Sequence, residues 1–124
     1  METETRTHVI MTCAVPGWHH WLEAPPEVSY LACTHRHLFT FKVRVLVGHD
    51  DRQVEFHLLR AQVLGLVRDR WPAPGWGADG HDFGSNSCEA LARWLLGALL
   101  GTGLAVAAVE CWEDDENGSS VEVA

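Results

Sequence analysis

From Leu38 to Val47 the chain reads LFTFKVRVLV, and this alternation constrains the fold more than any other stretch of the 124 residues. Phe39, Phe41, Val43, Val45 and Val47 fall at every second position, with Thr40, Lys42 and Arg44 between them. Side chains of a strand point alternately to its two faces, so this run predicts a β-strand with one apolar and one largely polar face. Such a strand needs paired neighbours and a layer that covers its apolar side.

The flanking sequence supplies both. Thr5 to Val15 is rich in Val, Ile and Thr and reads as a first strand, stopped by Pro16-Gly17. Glu23 to Glu27, with two consecutive prolines, reads as a loop. Gly48 to Asp51 makes a turn and offers helix caps, and from Val54 to Arg68 the residues Phe56, Leu59, Val63, Leu66 and Val67 recur at helical spacing. A loop rich in Pro and Gly runs from Asp69 to Gly84. A second helix follows, with Asn86 as N-cap and Glu89 completing a capping box. Cys88, Leu91, Ala92, Leu95 and Leu99 form its apolar stripe, and Gly101-Thr102-Gly103 ends it. Leu104 to Trp112 is a strand, Glu116-Asn117-Gly118 a hairpin turn, and Val121 to Val123 a closing strand. The order ββααββ predicts an α+β fold in one domain, residues 1–124. Its four-stranded antiparallel sheet carries two helices on one face. The other face and the sheet edges need cover, which predicts a homo-oligomer.

The charge balance narrows the partners. Net charge is −8, and the nine Lys and Arg residues form no run, so neither nucleic acid nor an anionic membrane is expected as a partner. A metal or a local cluster can still reverse the sign inside one pocket. The four cysteines make no CxxC pair or disulfide framework. No secretory signal is visible at the N-terminus, and the apolar stretch from Leu95 to Val109 is broken by Gly97, Gly101 and Gly103. These features together predict a cytoplasmic protein with reduced thiols.

The chemistry concentrates on histidine. His35-Arg36-His37 opens the best strand, and residues two apart on a strand point the same way, roughly 6–7 Å apart along the chain. Two imidazoles so placed can converge on one ion. If the first two strands form a hairpin, His19-His20 comes close to His35 and offers a third ligand. Three His ligands leave a position open, the pattern of a catalytic or substrate-binding zinc. Trp18 and Trp21 beside them are large enough to stack a heteroaromatic ring.

At this point the chain resembles the 6-pyruvoyltetrahydropterin synthase and 6-carboxytetrahydropterin synthase family over nearly its whole length. The family's first strand ends in a segment similar to Gly17-Trp18-His19-His20-Trp21, and its His-Gly-His is matched by His35-Arg36-His37. Its Asp-Phe at the first helix is echoed by Glu55-Phe56, its Pro-Thr-x-Glu-Asn by Asn86-Ser87-Cys88-Glu89-Ala90, and its Trp-Glu-Thr by Trp112-Glu113-Asp114.

The resemblance implies a T-fold that assembles into a barrel, as a hexamer or tetramer, with Zn2+ on His19, His35 and His37. It also implies a pterin-like small-molecule substrate, dihydroneopterin triphosphate or an analogue. The product would be 6-carboxytetrahydropterin, on the route to 7-deazaguanines such as queuosine. Glu113 matches the carboxylate that holds the pterin ring through two parallel hydrogen bonds, and Trp18 is the ring-stacking candidate. The family's acid–base groups, a cysteine and a His–Asp dyad, map onto Cys33, His81 and Asp82, and proton abstraction beside a metal-polarised oxygen needs such groups. Cys33 lies only two residues before His35, closer than in the family. Around Asp79-Gly80-His81-Asp82 the family's Leu-Asp-His pattern is not visible. A non-catalytic member that binds a pterin- or purine-like ligand is the alternative.

Overall fold

The computed structural model describes residues 2–74 and 80–124. Strands β1 (Thr7–His19) and β2 (His35–Val47) pair antiparallel without a break, from Thr7 opposite Val47 to His19 opposite His35. Met11, Cys13 and Val15 of β1 and the five alternating residues of β2, Phe39 to Val47, are all buried on one face, as the periodicity predicts. Helices α1 (Phe56–Arg70) and α2 (Cys88–Leu100) cover that face. Leu59, Val63 and Val67 of α1, and Leu91, Ala92, Leu95, Leu96 and Leu99 of α2, join the strands in one core. A two-residue strand, β3 (His81–Asp82), runs parallel to Gly17–Trp18. Strands β4 (Val106–Glu113) and β5 (Asn117–Glu122) complete a sheet of order β3-β1-β2-β4-β5. A 3₁₀ helix, Pro26–Ala32, lies between β1 and β2. Among the described residues, no helix is long and apolar enough to cross a membrane, and the four cysteines are free thiols.

The predicted helices and the four main strands form, with differences that have physical causes. The first strand does not stop at Pro16-Gly17 but continues to His19. The Pro16 carbonyl faces Gly80, where an added Cβ would lie 2.6 Å from that oxygen. The N and O of one strand residue point the same way, so the missing N–H of proline falls on the β3 side and costs the β2 ladder nothing. That short β3 adds a fifth strand to the four expected.

The α2 cap shifts by one residue. Ser87 Oγ accepts from the Ala90 amide at 3.1 Å, while Asn86 turns its side chain to the Phe83 carbonyl at 2.8 Å. Helix α1 is capped by Glu55, whose carboxylate accepts from the His57 and Leu58 amides, and not by the 48–51 turn. The last hairpin turns at Asp114-Asp115, two residues earlier than expected. Both have positive φ, 52° and 56°, and the Glu116 amide donates back to the Glu113 carbonyl at 2.9 Å. Asp is among the few residues that tolerate this left-handed geometry.

Two glycines test the packing in opposite directions. A Cβ at Gly17 would sit 2.5 Å from the ring of Phe83, which is fully buried. Gly17→Ala is therefore expected to cost about 1–3 kcal/mol by overpacking. A Cβ at Gly97 in α2 meets nothing within 4 Å. Gly97→Ala should gain about 0.5–1 kcal/mol of helix propensity. Urea unfolding of both variants reads the difference, and equal shifts would contradict this packing.

Candidate metal centre

The unbroken β1–β2 register places His19 opposite His35 and Gly17 opposite His37. All three histidines lie on the helix-covered face, at the end of the sheet nearest the start of α2. Their ring centroids are 4.5, 5.0 and 5.3 Å apart, and one nitrogen from each lies within 4.8 Å of the other two. Phe39, the next inward residue of β2, packs edge-on beneath His19 at 5.1 Å and His37 at 5.7 Å.

The second nitrogen of each ring fixes its tautomer. His19 Nδ1 bonds the Asn86 carbonyl at 2.9 Å, His35 Nδ1 the Cys33 carbonyl at 2.9 Å, and His37 Nδ1 the Asp114 carboxylate at 2.6 Å. Carbonyls and carboxylates only accept, so each Nδ1 carries the hydrogen and donates it. In the neutral ring this leaves Nε2 with a lone pair, the state a metal ligand requires. Burial favours the neutral ring and holds the His19 pKa below the ordinary imidazole value, against the opposing pull of the Asn86 bond. Asp114 is fixed by its bond from His37 and by the Leu38 amide at 2.7 Å, and both hold its carboxyl below the usual range.

A fourth acceptor completes the cluster. Glu113 places Oε1 3.3 Å from His19 Nε2 and Oε2 3.3 Å from His37 Nε2. His37 Nε2 is buried and has no hydrogen-bond partner. A neutral Nε2 has no hydrogen to give, so lone pairs face lone pairs across these short gaps. A cation relieves that opposition, and imidazole nitrogens with a carboxylate nearby suit a divalent ion of the zinc type. The donor set thus fits the metal that the sequence implies.

The histidines and Glu113 line one end of a cavity of ≈ 680 Å³. Trp21 and Leu31 form apolar wall, while Asn86, Ser87, Cys88 and Glu89 bring the first turn of α2 to it, and Asn117 and Ser119 come from β5. The Cys88 thiol lies 3.6 Å from Glu113 Oε1. The Cys111 thiol is pushed up by contact with Cys88 and by burial, and Cys13 is pushed up to about 11 by burial, so both stay protonated.

The structure does not bring every predicted site residue here. Trp18 points to the opposite face of the sheet, as strand alternation requires beside His19, with the Arg36 guanidinium 5.7 Å from its ring. Trp21 takes the place at the cavity instead. The side chain of Cys33 is exposed and does not line the cavity; its contribution is the carbonyl that orients His35. His81 donates from Nδ1 to the Trp71 carbonyl at 2.6 Å, and Asp82 accepts from the Gly84 amide at 2.9 Å. Neither lines the cavity. Asp79 lies outside the described residues.

Two site residues escaped the sequence reading. Asp114, which orients His37, enters the sequence reading only through the match of Trp112-Glu113-Asp114. The signal was its place after Glu113 in a hairpin tight enough to fold it back. Cys88 reads as a core residue from its helical stripe, yet its position at the first turn of α2 also lets it line the cavity.

No family model matches the sequence, and no curated protein is significantly similar to it. Solved structures are similar. A 6-pyruvoyl tetrahydropterin synthase from Caenorhabditis elegans superposes with a TM-score of 0.65 at 12% identity, covering 100% of both chains. An uncharacterized protein from Wolinella succinogenes superposes with a TM-score of 0.64 at 14% identity, covering 98% of this chain and 100% of the other. Across its whole length, the chain has the fold of 6-pyruvoyl tetrahydropterin synthase.

Proposed function

We propose that the protein holds one zinc ion on His19, His35 and His37 and acts on a pterin-type ring bound in the adjoining cavity. The observation that carries this reading is the convergence of three Nε2 lone pairs, each ring locked by an Nδ1–H donated to a fixed acceptor. The fold shared with a 6-pyruvoyl tetrahydropterin synthase supports the substrate class. The reading extends to a cytoplasmic homo-oligomeric lyase of 6-carboxytetrahydropterin synthase type. Its substrate would be dihydroneopterin triphosphate or an analogue sharing its ring and side-chain hydroxyls.

The bound ion would supply Lewis acidity, polarising a substrate oxygen beside the carbon that loses its proton. The chain's own groups do the rest. Glu113 presents two carboxylate oxygens to the cavity, matching the paired N–H groups of a 2-amino-4-oxo ring edge. Trp21 and Leu31 give the ring an apolar wall.

The Cys33 thiol and the His81 and Asp82 side chains lie off this cavity within one chain, an observation that favours a second reading, ring binding without turnover. Cys33→Ala separates the two. It lowers turnover at least tenfold if the thiol is the base, and leaves metal content and ring affinity unchanged in both readings.

Metal analysis tests the core of the proposal. One zinc per chain is expected in the purified protein, falling below a tenth of that in His37→Ala. Asp114→Asn keeps the shape but weakens the acceptor of His37 Nδ1–H, and should reduce zinc affinity about 10–100-fold. Competition with a chromogenic chelator measures it. Wild-type protein without stoichiometric metal, or an Asp114→Asn variant with unchanged affinity, counts against this centre.

A further inference from the structure

Glu113 has two neighbours that compete for it. It borders the cavity, where it offers acceptors to a ring edge, and it also faces the histidines. Glu113 lies opposite Phe39 in the pairing of β4 with β2, and His37 lies two residues before Phe39 on the same face. Glu113 and Asp114 therefore take opposite sides of one imidazole. Asp114 holds His37 Nδ1 from behind at 2.6 Å, while Glu113 Oε2 meets Nε2 at 3.3 Å. The other oxygen, Oε1, meets His19 Nε2 at the same 3.3 Å. All these contacts are made within one chain, so they need no partner subunit.

The distance carries chemical information. Zinc binds imidazole nitrogen and carboxylate oxygen at about 2.0–2.2 Å, and two corners of a tetrahedron stand about 1.6 bond lengths apart. Two ligands of one zinc ion are thus separated by roughly 3.3–3.5 Å. The contacts of Glu113 with His19 and His37 match that edge, and a neutral Nε2 has no hydrogen to place in either gap. A carboxylate also brings the negative charge that three neutral imidazoles lack, which favours it over water beside a divalent ion.

The carboxylate is held loosely enough to leave. Its donor is the Cys88 thiol, 3.6 Å from Oε1, and a thiol donates weakly. The Glu113 side chain is 26% exposed and borders the cavity.

We propose that Glu113 is the fourth ligand of the ion in the ring-free protein, and that a ring entering the cavity takes Glu113 away from it. This rests on the zinc and ring readings above and adds that the two oppose each other through one carboxylate. The centre is closed at rest, and the fourth position opens only when a ring is present. By linkage, a ring that takes Glu113 loosens the metal by the same factor as the metal loosens the ring.

The test compares wild type in its native assembly with Glu113→Gln, a change of equal shape whose fold is checked by circular dichroism. The probe is pterin itself, which has the ring edge and no side-chain hydroxyl to bind the ion. In competition with a chelator, Glu113→Gln should hold zinc at least tenfold more weakly. A nearby charge that is not a ligand also moves this number, so the deciding readout is the visible spectrum of bound cobalt(II), which reports ligands and geometry. The spectrum should change in Glu113→Gln, and should change in wild type when pterin is added. Pterin should loosen zinc about threefold or more in wild type and not in the variant. Identical cobalt spectra in wild type and Glu113→Gln overturn the inference and leave the zinc and ring readings standing. Pterin that binds wild type without altering the cobalt spectrum or zinc affinity overturns it too, since ring and metal then do not share Glu113. Absence of zinc binding overturns the metal reading, absence of pterin binding overturns the ring reading, and either takes this inference with it.

Discussion

Thr7 lies opposite Val47 and His19 opposite His35 because β1 and β2 hold one register over their full length. Side chains alternate with a period of two, so a slip of one residue would turn His35 and His37 to the outer face and expose Phe39 and Phe41. Burial of Phe39, Phe41, Val43 and Val45 forbids that slip. The core and the metal centre are thus specified by the same constraint. The hydrophobic pattern that fixes the strand pairing also delivers three imidazoles to one end of one face, without any contact between them having to be favourable.

What the register brings together, the surroundings must tolerate. Three imidazoles and a carboxylate turned toward one another form an arrangement that, with the rings neutral, gains nothing from its own members. It persists because every partner is held from behind. The Asn86 carbonyl is fixed by the turn leading into α2, the Cys33 carbonyl by the end of the 3₁₀ helix, and Asp114 by a left-handed hairpin turn. Phe39 supports the His19 and His37 rings from below and is itself backed by Phe83, 4.9 Å away. This is the support a binding site for a cation requires, since ligands that are already oriented lose little freedom when the ion arrives.

The sequence carried the strand alternation, both helices and the His-x-His in plain form, because each is a local periodicity. Proline hid the end of β1, since a missing N–H disrupts a strand only on the side where a partner needs it, and that side is decided by tertiary pairing. The Asn86 cap was misplaced for a related reason. Asn, Ser and their neighbours all qualify as caps, and Asn86 was already engaged by Phe83 and His19. Trp18 was assigned to the pocket by proximity in sequence, although strand parity with His19 sends it to the other face. Cys33, His81 and Asp82 came from the family resemblance. The backbone path here turns the thiol outward and spends the other two side chains on Trp71 and Gly84. His35 and His37, by contrast, follow from strand spacing alone, whereas His19 rather than His20, and Glu113, came from the resemblance, and here the pairing of β1 and β4 with β2 brings them to the same place.

Protons compete with any cation for this centre, and His19 and Asp114 respond to them in the same direction. His19 has its folded pKa lowered by burial, so the folded chain holds its proton less readily than the unfolded chain. Its contribution to stability is lost as pH falls below the ordinary value of 6.5. Asp114 is also lowered, by its bond from His37, so its contribution is present above the ordinary 3.8 and is lost as pH falls through the folded value. Acid therefore works against the centre both by charging His19 and by removing the acceptor that orients His37. A metal binds only the deprotonated rings and opposes both steps, so occupancy and folding are coupled through the same few atoms. The lone pairs that make these residues a poor cluster by themselves make them a good host for a cation.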